Sequence, residues 1–270
     1  MIYLYYFLGL VLLILAYARF EATWLQVSRI RFTKNKGALK IMQLSDIHIR
    51  RLKVNHFKVK KLIDSEKPDI IILSGDYVER TSETEDFLKF LEYILSSRTE
   101  NIYYCLGNHD YEAFEKAPKA LDTFIQAMKS KGCIALHNRS VSIEKNSRIY
   151  NIIGIADMRY KKQNVEKAVK SRNLSAHVNI AFSHNPDISL EIPKGKVDYL
   201  FCGHFHGGQI WAPFNMEFSI LRKEKLCKMG ITRGLHKINS IQLYINRGLG
   251  NVVFPLRFFS RPEIAVFYLP

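Results

Sequence analysis

Five short polar clusters, each placed directly after an apolar run of strand length, constrain this chain more than any other feature. They are Asp46-Ile47-His48, Gly75-Asp76, Gly107-Asn108-His109-Asp110, Ser183-His184-Asn185 and Gly203-His204-Phe205-His206-Gly207-Gly208-Gln209. A Gly-His-x-His-Gly turn lets the backbone bend tightly enough for two imidazoles to point into one small space. An isolated histidine pair of this kind is as readily a hydrogen-bonded loop. Five polar clusters at five strand ends point instead to one metal centre.

The sequence between the clusters alternates β and α. Residues 40–45 read as a strand ending at Asp46, and residues 55–66 have helical spacing (Phe57, Leu62, Ile63) that stops before Pro68. Residues 69–74 form an unbroken apolar strand. Ser82-x-x-Glu85 reads as a capping box opening a helix whose stripe is Phe87, Leu88, Leu91 and Ile94. With 101–106 as a third strand, the βαβαβ order predicts an α/β fold with a parallel sheet buried on both faces. All three motifs then fall at strand carboxyl ends, where open α/β sheets bind ligands. Beyond them the pattern predicts a helix over 119–131, a hairpin of 140–143 and 148–155, a short polar helix over 164–172, and strands over 177–182 and 196–201. Late strands over 240–245 and 263–268 are expected to complete a second sheet.

Residues 1–18 are almost wholly apolar, with no charge before Arg19, and lie at the short end of membrane-spanning length. Tyr3, Tyr5, Tyr6 and Tyr17, with Trp24 beyond, suit the two interfacial belts. Ala16-Tyr17-Ala18 has the form of a signal cleavage site, but a signal peptide carries positive charge before its apolar core, and none stands here. The expectation is an uncleaved transmembrane helix over 1–18, a juxtamembrane linker over 19–38 and a folded domain over 39–270. Arg19, Arg29, Arg31, Lys34, Lys36 and Lys40 all follow the apolar segment. The positive-inside rule therefore predicts a single-pass protein of the inner membrane with its domain facing the cytoplasm. Four cysteines without CxxC pairing agree with a reducing compartment; Cys105 and Cys202 lie inside apolar runs and read as buried thiols.

The net charge of +15 implies an anionic partner: a phospholipid surface, nucleic acid or a phosphorylated substrate. Asp46, His48, Asp76, Asn108, His184, His204 and His206 supply mixed oxygen and nitrogen ligands. That mixture suits Mn, Fe or Zn, and the absence of cysteine argues against a structural zinc site. Seven ligands exceed the need of one ion and match two divalent ions sharing a carboxylate. A pair about 3.5–4 Å apart grips a phosphoryl group and stabilises in-line displacement by water.

In order and in full, Asp-x-His, Gly-Asp, Gly-Asn-His-Asp, a later His and Gly-His-x-His resemble the calcineurin-like metallophosphoesterase superfamily, over residues 40–209. The tail Asn246-Arg247-Gly248-Leu249-Gly250, with Pro255-Leu256-Arg257 and Arg261-Pro262-Glu263-Ile264, resembles its membrane-associated bacterial branch. The resemblance implies two packed mixed sheets flanked by helices, a four-layer α/β/β/α sandwich, with residues 39–270 as its catalytic domain. It implies that Asp46, His48 and His206 hold one metal, that Asn108, His184 and His204 hold the other, and that Asp76 bridges them. His109 would stabilise the transition state or protonate the leaving oxygen, and Asp110 would orient His109, unless it is an ordinary turn residue. The purple acid phosphatase branch places a tyrosine ligand three residues after the bridging Asp; here that position is Glu79, so a tyrosinate–iron site is disfavoured.

Arg50 and Arg51 are candidates to contact substrate phosphate, or a solvated basic pair. His56, His137, His177 and His236 have no motif context. Residues 212–239, basic and aromatic with Trp211 just before them, form either a cover that selects substrate or an extended hairpin. The branch includes enzymes that cleave UDP-2,3-diacylglucosamine to the lipid monophosphate and UMP in lipid A synthesis. A membrane-anchored phosphohydrolase or pyrophosphatase acting on such a lipid-linked substrate is the leading expectation. A general, nucleotide or nucleic-acid phosphodiesterase is the alternative enzyme; against nucleic acid, an anchor adds nothing to its cleavage and no repeat of stacking aromatics and basic residues is visible. A non-catalytic, metal-stabilised interaction module is the alternative of another class, and the complete ligand set with His109 argues against it.

Overall fold

Alternation along the apolar runs decides the layering. In Ile70–Ser74, Ile70 and Ile72 face one side and Ile71 and Leu73 the other, and both sides are fully buried. A strand buried on both faces needs a layer on each, and the chain supplies helices on one side and a second sheet on the other.

The computed structural model describes residues 1–35, 37–96, 100–210, 218 and 222–270. Helices are α1 (Ile2–Glu21), α2 (His56–Glu66), α3 (Thr84–Leu95), α4 (Asn108–Phe114), α5 (Pro118–Ser130), α6 (Val165–Lys170) and α7 (Lys225–Lys228). Strands β1 (Gln26–Arg31), β2 (Leu39–Leu44), β3 (Ile70–Ser74), β4 (Ile102–Cys105), β5 (Cys133–Ala135) and β6 (Arg139–Lys145) come first. They are followed by β7 (Arg148–Gly154), β8 (Val178–Phe182), β9 (Tyr199–Cys202), β10 (Gly234–Ile238), β11 (Ile241–Ile245) and β12 (Glu263–Leu269). One mixed sheet has the order β1-β12-β2-β3-β4-β5 and the other β10-β11-β9-β8-β7-β6.

Three apolar layers hold these sheets. Val59 and Ile63 of α2, Phe87 and Leu91 of α3, and Phe124 and Met128 of α5 pack on the outer face of the first sheet. Leu39, Ile41, Ile70 and Ile72 meet Tyr150, Ile152, Val178 and Ile180 between the sheets, where Phe201 stacks on Phe267 with centroids 3.8 Å apart. Ala168 of α6 and Leu226 and Cys227 of α7 cover the far face of the second sheet. The result is the expected α/β/β/α sandwich of two mixed sheets. All four cysteines are free and buried.

Local signals act much as the sequence implies. Asn55 Oδ1 accepts the Phe57 N–H at 2.8 Å to start α2, and Asn164 Oδ1 accepts the Lys167 N–H at 2.8 Å to start α6. The expected Ser82–Glu85 capping box does not form. Residues Thr81–Glu83 make a 3-10 turn, α3 starts at Thr84 without a side-chain cap, and the Glu83 carboxylate instead accepts the Glu79 N–H at 2.8 Å. Two strand expectations are also corrected. Glu263–Leu269 lies in the first sheet, between β1 and antiparallel β2, rather than completing the second. Residues 19–38, read as linker, contain β1, which pairs in parallel with β12 from Gln26↔Glu263 to Arg31↔Tyr268.

Helix α1 is long and apolar enough to cross a membrane, and among its residues only Ala18 and Glu21 are buried. Among the described residues, 212–239 contain α7 and β10, and β10 forms the first strand of a hairpin with β11, which lies beyond the segment. Trp211 and Phe214 lie outside the described residues.

Candidate metal centre

Register brings the motifs together. β2, β3 and β4 run parallel with Leu44↔Leu73 and Ser74↔Cys105 paired, so their carboxyl ends are level. In the second sheet β8 and β9 do the same, with Phe182↔Phe201. At these ends the backbone turns sharply: Asp46 (φ 50°), His48 (39°), Asp76 (58°), His204 (73°) and His206 (53°) all occupy the left-handed region. Residues with a Cβ avoid that region, so five of the seven expected ligands carry backbone strain, which a rigid surround must hold. Part of the surround is the adjoining loops: Asp46 N–H bonds Gly75 O at 2.9 Å and His48 N–H bonds Asp76 O at 3.0 Å. Gly248, in the tail motif, has φ 72°, and a Cβ there would lie 2.6 Å from the Asp46 Cβ. Only glycine allows the tail to close over Asp46.

All seven expected ligands are buried. Asp46, His48 and His206 form one cluster, with His206 Nε2 3.2 Å from both Asp46 Oδ1 and His48 Nε2. Asp76, His184 and His204 form the second, with His184 Nε2 3.0 Å from Asp76 Oδ2 and 3.1 Å from His204 Nδ1. Asp76 Oδ2 also lies 3.7 Å from His48 Nε2, so one carboxylate oxygen faces both clusters.

A second ring of groups sets which nitrogen faces inward. His184 Nδ1 donates to Ser74 O at 2.9 Å, leaving Nε2 for the site. Glu79 Oε1 lies 3.1 Å from His48 Nδ1, and Glu224 Oε1 lies 2.9 Å from His204 Nε2. Burial opposes ionisation of both glutamates, but their histidine and arginine neighbours hold each down to about 2. Glu224 is therefore an acceptor that fixes the His204 tautomer, as carboxylates behind metal-bound histidines do, while Glu79 sets a negative charge beside the outer nitrogen of His48. Burial also opposes charge on His184, yet the Asp76 and Asp46 carboxylates push that ring up to about 10. A cation at His184 Nε2 would compete with a proton there.

The residues fit a divalent pair. Each cluster offers one carboxylate and two imidazole nitrogens within 4.8 Å of one another. Asn108 Oδ1, placed at the first residue of α4, is buried without a hydrogen-bond partner, as an oxygen reserved for a cation would be. Two such ions would supply Lewis-acid activation of a phosphoryl group and of water.

The family model for calcineurin-like phosphoesterases matches residues 39–208. The chain belongs to this family. It is 32% identical over 227 residues to the uncharacterized metallophosphoesterase YkoQ of Bacillus subtilis, covering 84% of this chain and 82% of that one. It is 29% identical over 301 residues to the UDP-2,3-diacylglucosamine pyrophosphatase LpxG of Chlamydia trachomatis, covering 91% and 89%. The fold is also that of a dimetal phosphatase from Danio rerio, with a TM-score of 0.50 at 11% identity over 87% of this chain and 93% of that one. This calcineurin-like phosphoesterase is thus a dimetal, metal-dependent hydrolase of phosphoric esters.

Within the phosphoesterase, His109 sits on the first turn of α4, a third exposed, its ring 5.3 Å from that of His48. Its Nδ1 lies 3.2 Å from Glu112 Oε2, and its N–H donates to Asp76 Oδ1 at 2.8 Å. The expected pairing of His109 with Asp110 is not what the structure holds. The buried Asp110 carboxylate accepts four backbone N–H groups, from Asp76, Tyr77, Val78 and Gly107 at 2.8–3.1 Å, and so clasps two motif loops together. Arg51 pairs with Glu79, and Arg50 is exposed near Glu83. His56 packs edge-on against Phe90, while His137, His177 and His236 bond local backbone, so none joins the site.

Four further residues take part: Glu79 and Glu224, which the motifs do not mark, and Arg222 and Arg257, which fall in the 212–239 segment and the tail motif. Glu79 was noted only as a missing tyrosine, and Glu224 carried no signal at all. Arg222 donates to His204 O at 3.1 Å and, with Arg159 and Lys223, lines a cleft of about 510 Å³ beside Glu224. Arg257, fully buried, donates to Arg247 O, Gly248 O, Gly250 O and Ser260 O and locks the tail whose Gly250 N–H bonds Asp46 O at 2.7 Å. The signal for Arg257 was its place in the tail motif.

Proposed function

We propose that the phosphoesterase is a membrane-anchored hydrolase of a lipid-linked phosphoanhydride or phosphodiester, of the type of UDP-2,3-diacylglucosamine. Asp46, His48 and His206 would hold one ion and Asn108, His184 and His204 the other, with Asp76 between the two clusters. Water attacks one phosphorus of the anhydride and gives up a proton to solvent, the P–O bond to the bridging oxygen breaks, and UMP and the lipid monophosphate are the two products. His109, at the open side of the clusters, donates a proton to the leaving oxygen or stabilises the charge that develops there. Arg159, Arg222 and Lys223 line the cleft by which an anionic substrate approaches.

The observation that carries this reading is α1, apolar around its whole circumference and exposed along its length up to a base that packs on the catalytic domain. The net charge of +15 supports an anionic surface as the working environment, and the likeness to LpxG supports the substrate class. Positive charges at Arg19, Arg29 and Arg31 favour a cytoplasmic domain at the inner membrane. A reporter fused after Pro270 that works only outside the cytoplasm would reverse that orientation.

The substrate is tested by incubating the detergent-solubilised full chain with UDP-2,3-diacylglucosamine and divalent metal. UMP release that is abolished in Asp76→Ala, together with loss of bound metal in that variant, is the expected result. Cleavage of soluble phosphodiesters alone would remove the lipid assignment.

A further inference from the structure

The base of α1, residues 252–261 and the His206 turn form one bonded block. Arg257 N–H donates to Ala18 O at 3.0 Å, and the buried Glu21 carboxylate accepts Phe259 N–H at 2.9 Å and Ser260 N–H at 2.8 Å. On its other side the same loop is laced to the metal-ligand turn. Gln209 Nε2 donates to Val252 O and Phe254 O at 2.9 Å, Val252 N–H donates back to Gln209 Oε1, and the Ser260 hydroxyl donates to His206 O at 3.0 Å.

This block exposes what a soluble surface hides. Val253, Phe254 and Phe259 are 70, 61 and 56% exposed, beside the exposed Phe20 and Trp24 at the end of α1. Val253 has φ 58°, a conformation a β-branched residue rarely adopts, so the apolar tip is held outward by the bonds around it. Next to the tip lies a cleft of about 400 Å³ lined by Arg233, Arg247 and Arg261 together with Tyr17, Glu21 and Phe259. Arg261 lies over the Trp24 ring at 3.8 Å, and Arg233 donates to Phe259 O at 2.9 Å. Arg233, Arg247 and Arg261 stand here against the Glu21 and Glu263 carboxylates, three cationic side chains to two anionic ones. An aromatic and aliphatic tip beside clustered arginines, continuous with an apolar helix end, matches the chemistry of a bilayer interface.

We propose that the last turn of α1, Trp24 and residues 252–261 form a face seated in the headgroup layer of an anionic phospholipid bilayer, with the arginine cleft taking lipid phosphate. This rests on the reading of α1 as a membrane anchor and adds to it a fixed pose. Because the His206–Gln209 turn is bonded to the seated loop, the metal centre is held at headgroup height. A lipid-linked phosphate then reaches the ions without its acyl chains leaving the bilayer.

The four native cysteines are buried, so a cysteine placed at Phe254 can be labelled selectively with an environment-sensitive dye in the full chain. The label is read in vesicles of phosphatidylcholine alone and with phosphatidylglycerol, with flotation reporting anchoring. A Lys170→Cys control lies on α6, beside β6, at the edge of the second sheet opposite β10. The expected result is a blue-shifted label at Phe254→Cys, quenched by brominated lipid and shielded from aqueous iodide, with the control unshielded. Adding Arg233→Gln should shift the immersed-to-exposed ratio roughly fivefold toward exposed in anionic vesicles and leave neutral ones unchanged. A change of equal size in both lipids would mean mere loosening of the loop and would overturn the phosphate cleft. A label that stays open to iodide while the chain floats overturns the seated face and leaves the anchor standing. Shielding from iodide without quenching by brominated lipid would assign the face to a second protein surface. Failure to float would remove anchor and face together.

Discussion

Glu224 Oε1 lies 2.9 Å from Nε2 of His204, the ring whose Nδ1 faces His184 across the second cluster. In the first cluster Glu79 Oε1 lies 3.1 Å from the Nδ1 of His48, whose ring is reversed so that Nε2 faces inward, but that contact lacks hydrogen-bond geometry. Each cluster therefore has a histidine whose outer nitrogen faces a carboxylate, hydrogen-bonded at His204 and in close ionic proximity at His48.

Glu224→Gln and Glu79→Gln should each weaken divalent metal binding by about ten- to a hundredfold, with activity recovered at high metal concentration. Competition against a chelator of known affinity measures this directly. An unchanged affinity in both variants would reduce these glutamates to bystanders.

Asp110 and His109 are adjacent, and their substitutions should fail differently. Asp110→Ala leaves four buried N–H groups without an acceptor and should cost stability on the order of 3–5 kcal/mol, read by urea unfolding. His109→Ala removes a partly exposed ring and should keep both metals and the fold, while turnover drops roughly a hundredfold. A stable Asp110→Ala enzyme slowed only in catalysis would restore the orienting role for Asp110. Metal loss in His109→Ala would move His109 among the ligands.

His137 gives a pH signature away from the metals. Its Nε2 accepts the Leu106 N–H at 3.2 Å, which requires a neutral ring, and burial, aided by Arg139, pushes its pKa down to about 4 from the ordinary 6.5. Between these values the unfolded chain binds the extra proton. The contribution is thus present in full above pH 6.5 and is lost as pH falls through 4, about 3 kcal/mol in all. His137→Gln keeps an acceptor for Leu106 without titrating. The difference in unfolding free energy between wild type and variant should therefore change with pH across that window. A flat difference would show that His137 is already charged when folded.

The residues of the two metal-competent clusters were legible because each lies within a few residues of a strand end, in a motif whose glycines and spacing act locally. The βαβαβ start was legible for a similar reason: apolar runs buried on both faces can hardly be anything but inner strands. Long-range pairing was not. Nothing within Glu263–Leu269 says which sheet it joins; its place between β1 and β2 follows from hydrogen bonds to residues more than two hundred positions away. Gln26–Arg31 read as linker because its side chains are mostly polar, and it becomes a strand because β12 offers an unpaired edge there. Glu79, Glu224 and Arg222 belong to residue types that are common on surfaces. Only the folded chain sets them against His48 and His204, where burial and a fixed partner turn ordinary charges into parts of the site.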